Sequence, residues 1–132
     1  MSFFDRPEFL RTVLLVDAVT CVATGALMTL GAGLVSGLTQ IPTGLLTSAG
    51  LSLFPIAAFI AFVATRQPPP RLGVWLVIAG NVGWVLGSIL LMLGGFVTPN
   101  SLGYAFITGQ AIAVAILAEL EVTGVRRMPL AV

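Results

Sequence analysis

Asp17 is the side chain with the clearest capacity for chemistry, because it is an ionisable group inside a long apolar segment. It lies six residues after Arg11, which is about 9 Å further along a helix. Thr20 and Thr24 follow it at three and seven residues, so a helix would carry all three side chains on one face. The spacing predicts a polar stripe that points into the protein. Two roles stay open for Asp17: a substrate, ion or proton site, or a structural carboxyl group bonded to a neighbouring helix.

Asn81 is the second polar residue expected at membrane depth. It lies ten residues after Arg71, about 15 Å along a helix, and Ser88 follows it on the same face. An amide both donates and accepts hydrogen bonds, which suits a contact between two helices. Because the estimated depths of Asp17 and Asn81 differ by only about one helical turn, we predict that these two side chains pair.

Glu119 and Glu121 come near the end of the last apolar segment, just before two arginines. Residues two apart on a helix point about 200° away from each other. The two glutamates therefore do not form a paired-carboxylate acid/base device by themselves. We predict instead a cytoplasmic rim in which arginines stabilise them, with Glu119 as the deeper member. This predicted rim comprises Glu119, Glu121, Arg11, Arg66, Arg71 and Arg126.

The residue types that are missing limit the possible functions. The sequence has no histidine and a single cysteine, Cys21, so the usual haem and zinc ligands are not available. It has no lysine, and no basic stripe interleaved with aromatic residues that would hold nucleic acid. We therefore expect no catalytic residues, no bound metal, no cofactor and no nucleic-acid partner.

The composition predicts an integral membrane protein. Hydrophobic residues make up 58% of the 132 residues and charged residues only 8%, against about 45–50% and about 25% in soluble domains. The mean hydropathy is +1.09. A membrane-spanning helix needs about 20 apolar residues, and four segments are long enough. We predict an all-α fold, a compact bundle of four transmembrane helices in a single domain (1–132), with helices at about 6–37, 44–66, 71–97 and 100–123. The short connections favour antiparallel neighbours.

The arginines predict the orientation in the lipid bilayer. They precede the first predicted helix, flank the loop between the second and third, and follow the fourth; the other two loops have none. Cytoplasmic loops are enriched in arginine and lysine. We therefore predict that both termini are cytoplasmic, and that in a bacterial cell the membrane is the inner (plasma) membrane. The six arginines are Arg6, Arg11, Arg66, Arg71, Arg126 and Arg127.

Small residues at four-residue spacing predict close helix packing, either within the chain or between copies. The pairs are Gly33 and Gly37, Gly83 and Gly87, and Ala111 and Ala115.

Two functional hypotheses remain. The first is a packing or interaction subunit without catalytic activity, acting in a larger membrane protein complex or as a homo-oligomer. The alternative is an oligomeric small-solute or proton-coupled transporter that uses Asp17 and Asn81. A cavity that reaches Asp17 would favour transport, whereas a dry bundle would favour a packing role.

Overall fold

The computed structural model describes residues 7–95 and 97–127, and this part of the chain contains helices and no strands. Four of the helices are long and apolar enough to cross a membrane, which identifies a helical bundle of the multi-pass membrane type. Arg6, where the first helix was predicted to begin, lies outside the described residues. The helices are α1 (Pro7–Leu30), α2 (Ala32–Thr39), α3 (Thr43–Thr65), α4 (Arg71–Leu93) and α5 (Ser101–Arg126).

The first predicted helix, residues 6–37, is wrong as a single element, because the structure divides it into α1 and α2 at Gly31. The backbone at Gly31 departs from helical geometry, with φ −100° and ψ 15°. A Cβ atom at this position would approach the Leu27 carbonyl oxygen to 2.7 Å. Glycine has no Cβ atom and therefore avoids this contact. Further along the chain, α4 ends at Leu93, four residues before the predicted limit.

The long helices pack unevenly. α1 lies along α3, and α4 lies along α5, whereas α3 and α4 make few contacts although a short loop joins them. The close approach of α1 to α3 depends on Gly25 and Gly50. A Cβ atom on Gly50 would lie 2.9 Å from the Cβ of Met28 and 3.1 Å from the Gly25 carbonyl oxygen. The sparse packing of α3 on α4 leaves a cleft between them.

Hydrogen bonds at the helix ends tie the bundle together. Arg11 Nε donates to the Ala64 carbonyl oxygen at 3.2 Å, which joins the start of α1 to the end of α3. Arg71 Nη1 donates to the Val125 carbonyl oxygen at 3.0 Å, which joins the start of α4 to the end of α5. Asn100 Nδ2 donates to the Leu38 carbonyl oxygen at 2.9 Å, which joins the end of α2 to the start of α5.

The glycine pairs singled out in the sequence face open space. Nothing lies within 4 Å of the position that a Cβ atom would take on any of them, and the same holds for Gly80. Close packing inside the chain instead involves other glycines, among them Gly25, Gly50 and Gly124. The glycine pairs in question are Gly33 with Gly37 and Gly83 with Gly87.

Candidate intramembrane polar site

Asn81 bridges two carboxyl groups in the interior of the bundle. Its amide nitrogen Nδ2 donates to Asp17 Oδ2 at 2.7 Å and to Glu121 Oε1 at 2.8 Å. The three side chains come from α1, α4 and α5, and their exposed fractions are 1% for Asp17, 6% for Asn81 and 0% for Glu121. We call Asp17, Asn81 and Glu121 the acidic cluster. The pair predicted from sequence, Asp17 with Asn81, is thus in direct contact.

Each member of the acidic cluster lies on the buried face of its helix. Residues three or four positions away on the same helix share that face. The buried residues at these spacings are small or apolar, and among them only Cys21 carries a polar group. They include Leu14 and Cys21 on α1, Val77 on α4, and Ala118 and Val125 on α5.

The acidic cluster retains hydrogen-bond acceptors that are not satisfied. The Cys21 thiol donates weakly to Asp17 Oδ1 at 3.7 Å. Glu121 Oε2 is buried and has no hydrogen-bond partner within the described residues. The two N–H bonds of the Asn81 amide are both used by the carboxyl groups. Its carbonyl oxygen accepts no hydrogen bond from the part of the chain that the structure describes.

The charge on the acidic cluster needs compensation. The described donors to its carboxyl groups are an amide and a thiol, both neutral. Two ionised carboxylates that share one site repel each other, and burial in an apolar environment adds to the cost. Arg11 and Arg71 bind backbone carbonyl oxygens at the helix ends. The arrangement is therefore suited to hold a proton or a cation and to release it again.

The cleft between α3 and α4 leads to the acidic cluster. Its volume is about 330 Å³. Asn81 and Cys21 line it, and both hydrogen-bond Asp17. The rest of the wall is apolar or aromatic and includes Phe59 of α3 and Trp84 of α4. The cleft therefore reaches the acidic cluster at Asn81, while Asp17 and Glu121 lie buried behind its wall.

Ser88 belongs to a second polar group, not to the site with Asp17 for which the sequence proposed it. Trp84 Nε1 donates to Gln110 Oε1 at 2.6 Å, and Gln110 Nε2 donates to Ser88 Oγ at 2.9 Å. These three residues also line a cavity of about 80 Å³. Ser88 itself donates to the Trp84 carbonyl oxygen one turn earlier. The Ser88 hydroxyl, which was expected to extend the Asp17 site, instead accepts a hydrogen bond from Gln110.

The threonine stripe does not extend the acidic cluster either. Thr20 is partly exposed and its hydroxyl donates to the Val16 carbonyl oxygen of its own helix at 2.8 Å. Thr24 is half-buried, and the described hydrogen bonds do not connect it to Asp17. Threonine in a helix commonly satisfies its hydroxyl on the carbonyl four residues earlier, which removes the need for a partner on another helix.

The prediction that arginines stabilise Glu121 at the rim of the bundle is wrong, because its described hydrogen-bond partner is Asn81. Glu121 is fully buried in the acidic cluster, whereas Glu119 is exposed on the outer face of α5, beside a groove along α4. The expected separation of about 200° is what places them on opposite faces. Arg66 and Arg126 are exposed, and the Arg66 guanidinium lies 5.4 Å from the centre of the Phe62 ring.

Sequence reasoning missed Glu121, although a signal for it exists. Glu121 follows Ala118 by three residues and precedes Gly124 by three, so it shares a helix face with small residues that allow a neighbouring helix to approach. All three are buried. A carboxyl group on a small-residue face is a better candidate for the interior than one placed by its distance from the chain end.

The described residues contain no group of three or more His, Cys, Asp or Glu side chains arranged to hold a metal ion. No protein-family model, curated protein or solved structure matches this chain significantly.

Proposed function

We propose that this protein is a membrane carrier that couples the movement of a small solute to protonation of the acidic cluster. One observation supports this most directly: Asn81 holds two buried carboxyl groups together and also lines the cleft between α3 and α4. A purely structural polar contact has no need of a second buried carboxyl group beside the first, because ionisable groups inside a membrane are costly.

The proposed coupling is a competition for negative charge. When the cleft is empty, a proton on one carboxyl group reduces the repulsion between Asp17 and Glu121. When a solute enters beside Asn81, it changes the charge or the hydrogen bonding at the cluster, and the proton leaves. Proton release and solute binding are then thermodynamically linked and each affects the other by the same factor.

We also propose the orientation of the carrier. The contacts of Arg11 with the end of α3, and of Arg71 with the end of α5, support antiparallel packing of these pairs. They also gather Arg11, Arg66, Arg71 and Arg126 at one end of the bundle, which supports cytoplasmic termini under the positive-inside rule. A plasma membrane, the inner one in a bacterium, is the proposed location.

A packing subunit or homo-oligomer is the second candidate. It is supported by Gly80, Gly83 and Gly87, which follow one edge of α4 and have no atoms within 4 Å of their Cβ positions. Small residues at such an edge allow close contact with another helix in a membrane. Assembly is also compatible with transport, since a small bundle gains a longer solute path when two copies associate.

The test of the proposed function uses purified protein in liposomes that enclose a pH-sensitive dye. A membrane potential is imposed, and amines, amino acids, sugars and organic acids are added outside in turn. A carrier of the proposed kind gives a change of internal pH, in excess of that in protein-free liposomes, that depends on one solute class and saturates with its concentration.

The matched control is the Glu121→Gln variant, which keeps the shape of the side chain but cannot titrate. It should abolish the solute-dependent pH change. A protein that, while folded and inserted, produces no pH change beyond that of protein-free liposomes with any of the four solute classes would contradict the carrier and leave the packing subunit as the function.

A further inference from the structure

We infer that the cleft between α3 and α4 binds an amphipathic amine in its protonated form, with the ammonium group at Asn81 and the apolar body between the two helices. This inference rests on the proposed function, because it names the solute class for the same site. Three features of the cleft support this inference: its apolar lining, the buried carboxyl groups behind Asn81, and the Asn81 carbonyl oxygen on its wall.

The lining of the cleft selects an apolar body. The volume of about 330 Å³ lies within the range of pockets that hold small molecules, about 300–1,000 Å³. Leu53, Ile56 and Phe59 of α3 face Leu76 and Trp84 of α4 across it. The polar side chains on the wall, Asn81 and Cys21, both lie next to Asp17. The polar group of a ligand would therefore bind at this end of the cleft.

The charge behind Asn81 selects a cation. Asp17 and Glu121 are both buried, and the described donors that reach them are neutral. A monovalent cation in the cleft would offset the negative charge of the cluster at short range, in a medium where such interactions are stronger than in water. Trp84 and Phe59 add two aromatic rings, whose faces attract cations. An anionic or neutral polar solute gains neither interaction.

The Asn81 carbonyl oxygen selects an N–H donor. Asn81 is 6% exposed, lines the cleft, and uses its amide nitrogen on the carboxyl groups. Its oxygen is therefore an available acceptor on the cleft wall, since no described residue donates to it. A protonated amine can donate to this oxygen, whereas a quaternary ammonium group carries the same charge without a donor. The site should discriminate between the two.

Binding is measured on the full-length protein in detergent through the fluorescence of Trp84, with Trp75→Phe removing the other tryptophan. The probes are phenylbutylamine, the alcohol phenylbutanol and phenylbutyl-trimethylammonium, which share one apolar body. We expect a saturable change with the amine, and apparent affinities about tenfold weaker or lower for the alcohol and the quaternary cation.

Gly80→Leu and Gly83→Leu form the matched pair of variants. Both glycines have open space around them, so both variants should fold, but only Gly80 lines the cleft. Gly80→Leu should abolish amine binding and Gly83→Leu should preserve it. Equal binding of all three probes, or amine binding that survives Gly80→Leu, would overturn the inference.

The carrier function and the amine site can each be contradicted without the other. Amine binding without any solute-dependent pH change in liposomes overturns the carrier and keeps the amine site. A pH change driven by sugars, amino acids or organic acids, with no amine binding, overturns the amine site and keeps the carrier.

Discussion

Glu119 and Glu121 stand two residues apart on α5 and occupy opposite environments. Glu121 is fully buried and accepts a hydrogen bond from Asn81 at 2.8 Å, while Glu119 is exposed on the outer face of the bundle. A glutamate side chain is thus present twice at nearly the same position along α5, once buried in the bundle and once exposed on its surface. This provides an internal control for every experiment on the acidic cluster.

The Asn81 bridge should dominate the stability of the polar interior. Asn81→Leu removes the amide donor from two buried carboxyl groups, and each stranded acceptor costs about 1–3 kcal/mol. Thermal unfolding in detergent should show a clear loss of stability. Gln110→Leu is the comparison, since it removes a half-buried amide whose partners, Trp84 and Ser88, are neutral. A larger loss for Gln110→Leu would contradict the importance of the bridge.

Asp17→Asn should keep the fold, because an amide can replace a carboxyl group that carries a proton. Its side-chain oxygen can still accept from Asn81 Nδ2, which now lies 2.7 Å from Asp17 Oδ2. We expect a melting temperature close to that of the unsubstituted protein, together with loss of solute-dependent proton movement. A strongly destabilised Asp17→Asn would mean that Asp17 is held as a charged partner, contrary to the proposed exchange of protons.

Close packing of α1 on α3 should be sensitive to a single methyl group. A Cβ atom at Gly50 would lie 2.9 Å from Thr29 Cγ2 and 2.9 Å from Met28 Cβ. Overpacking of this kind costs about 1–3 kcal/mol, so Gly50→Ala should unfold at a lower temperature. Gly83→Ala, at a helical position with open space, should unfold at the same temperature or higher. Equal effects of the two changes would show that α1 and α3 are not in close contact.

The hydropathy pattern was sufficient to predict the helical membrane bundle, because four apolar segments are each long enough to cross a bilayer as a helix. The contact of Asp17 with Asn81 also followed from estimated depth. Ser88 and Glu121 could not be placed in this way, since depth along the membrane does not give the rotation of a helix. That rotation depends on which small residues let neighbours approach, such as Gly25, Gly50 and Gly124, and the sequence pattern does not rank them.

The orientation can be tested with single cysteines in a Cys21→Ala background. Thr98 is exposed in the loop between α4 and α5, and Gln67 is exposed in the loop between α3 and α4. In intact cells an impermeant thiol reagent should label Thr98→Cys and spare Gln67→Cys. The reverse pattern would place the termini on the outside and contradict the positive-inside assignment.

The most direct test of the carrier compares Glu121→Gln with Glu119→Gln in the liposome assay. The two variants make the same chemical change two residues apart, one inside the acidic cluster and one on the outer face. The proposed function predicts that solute-dependent proton movement is lost in Glu121→Gln and stays close to that of the unsubstituted protein in Glu119→Gln. Equal proton movement in the two variants would contradict a role for the acidic cluster in transport.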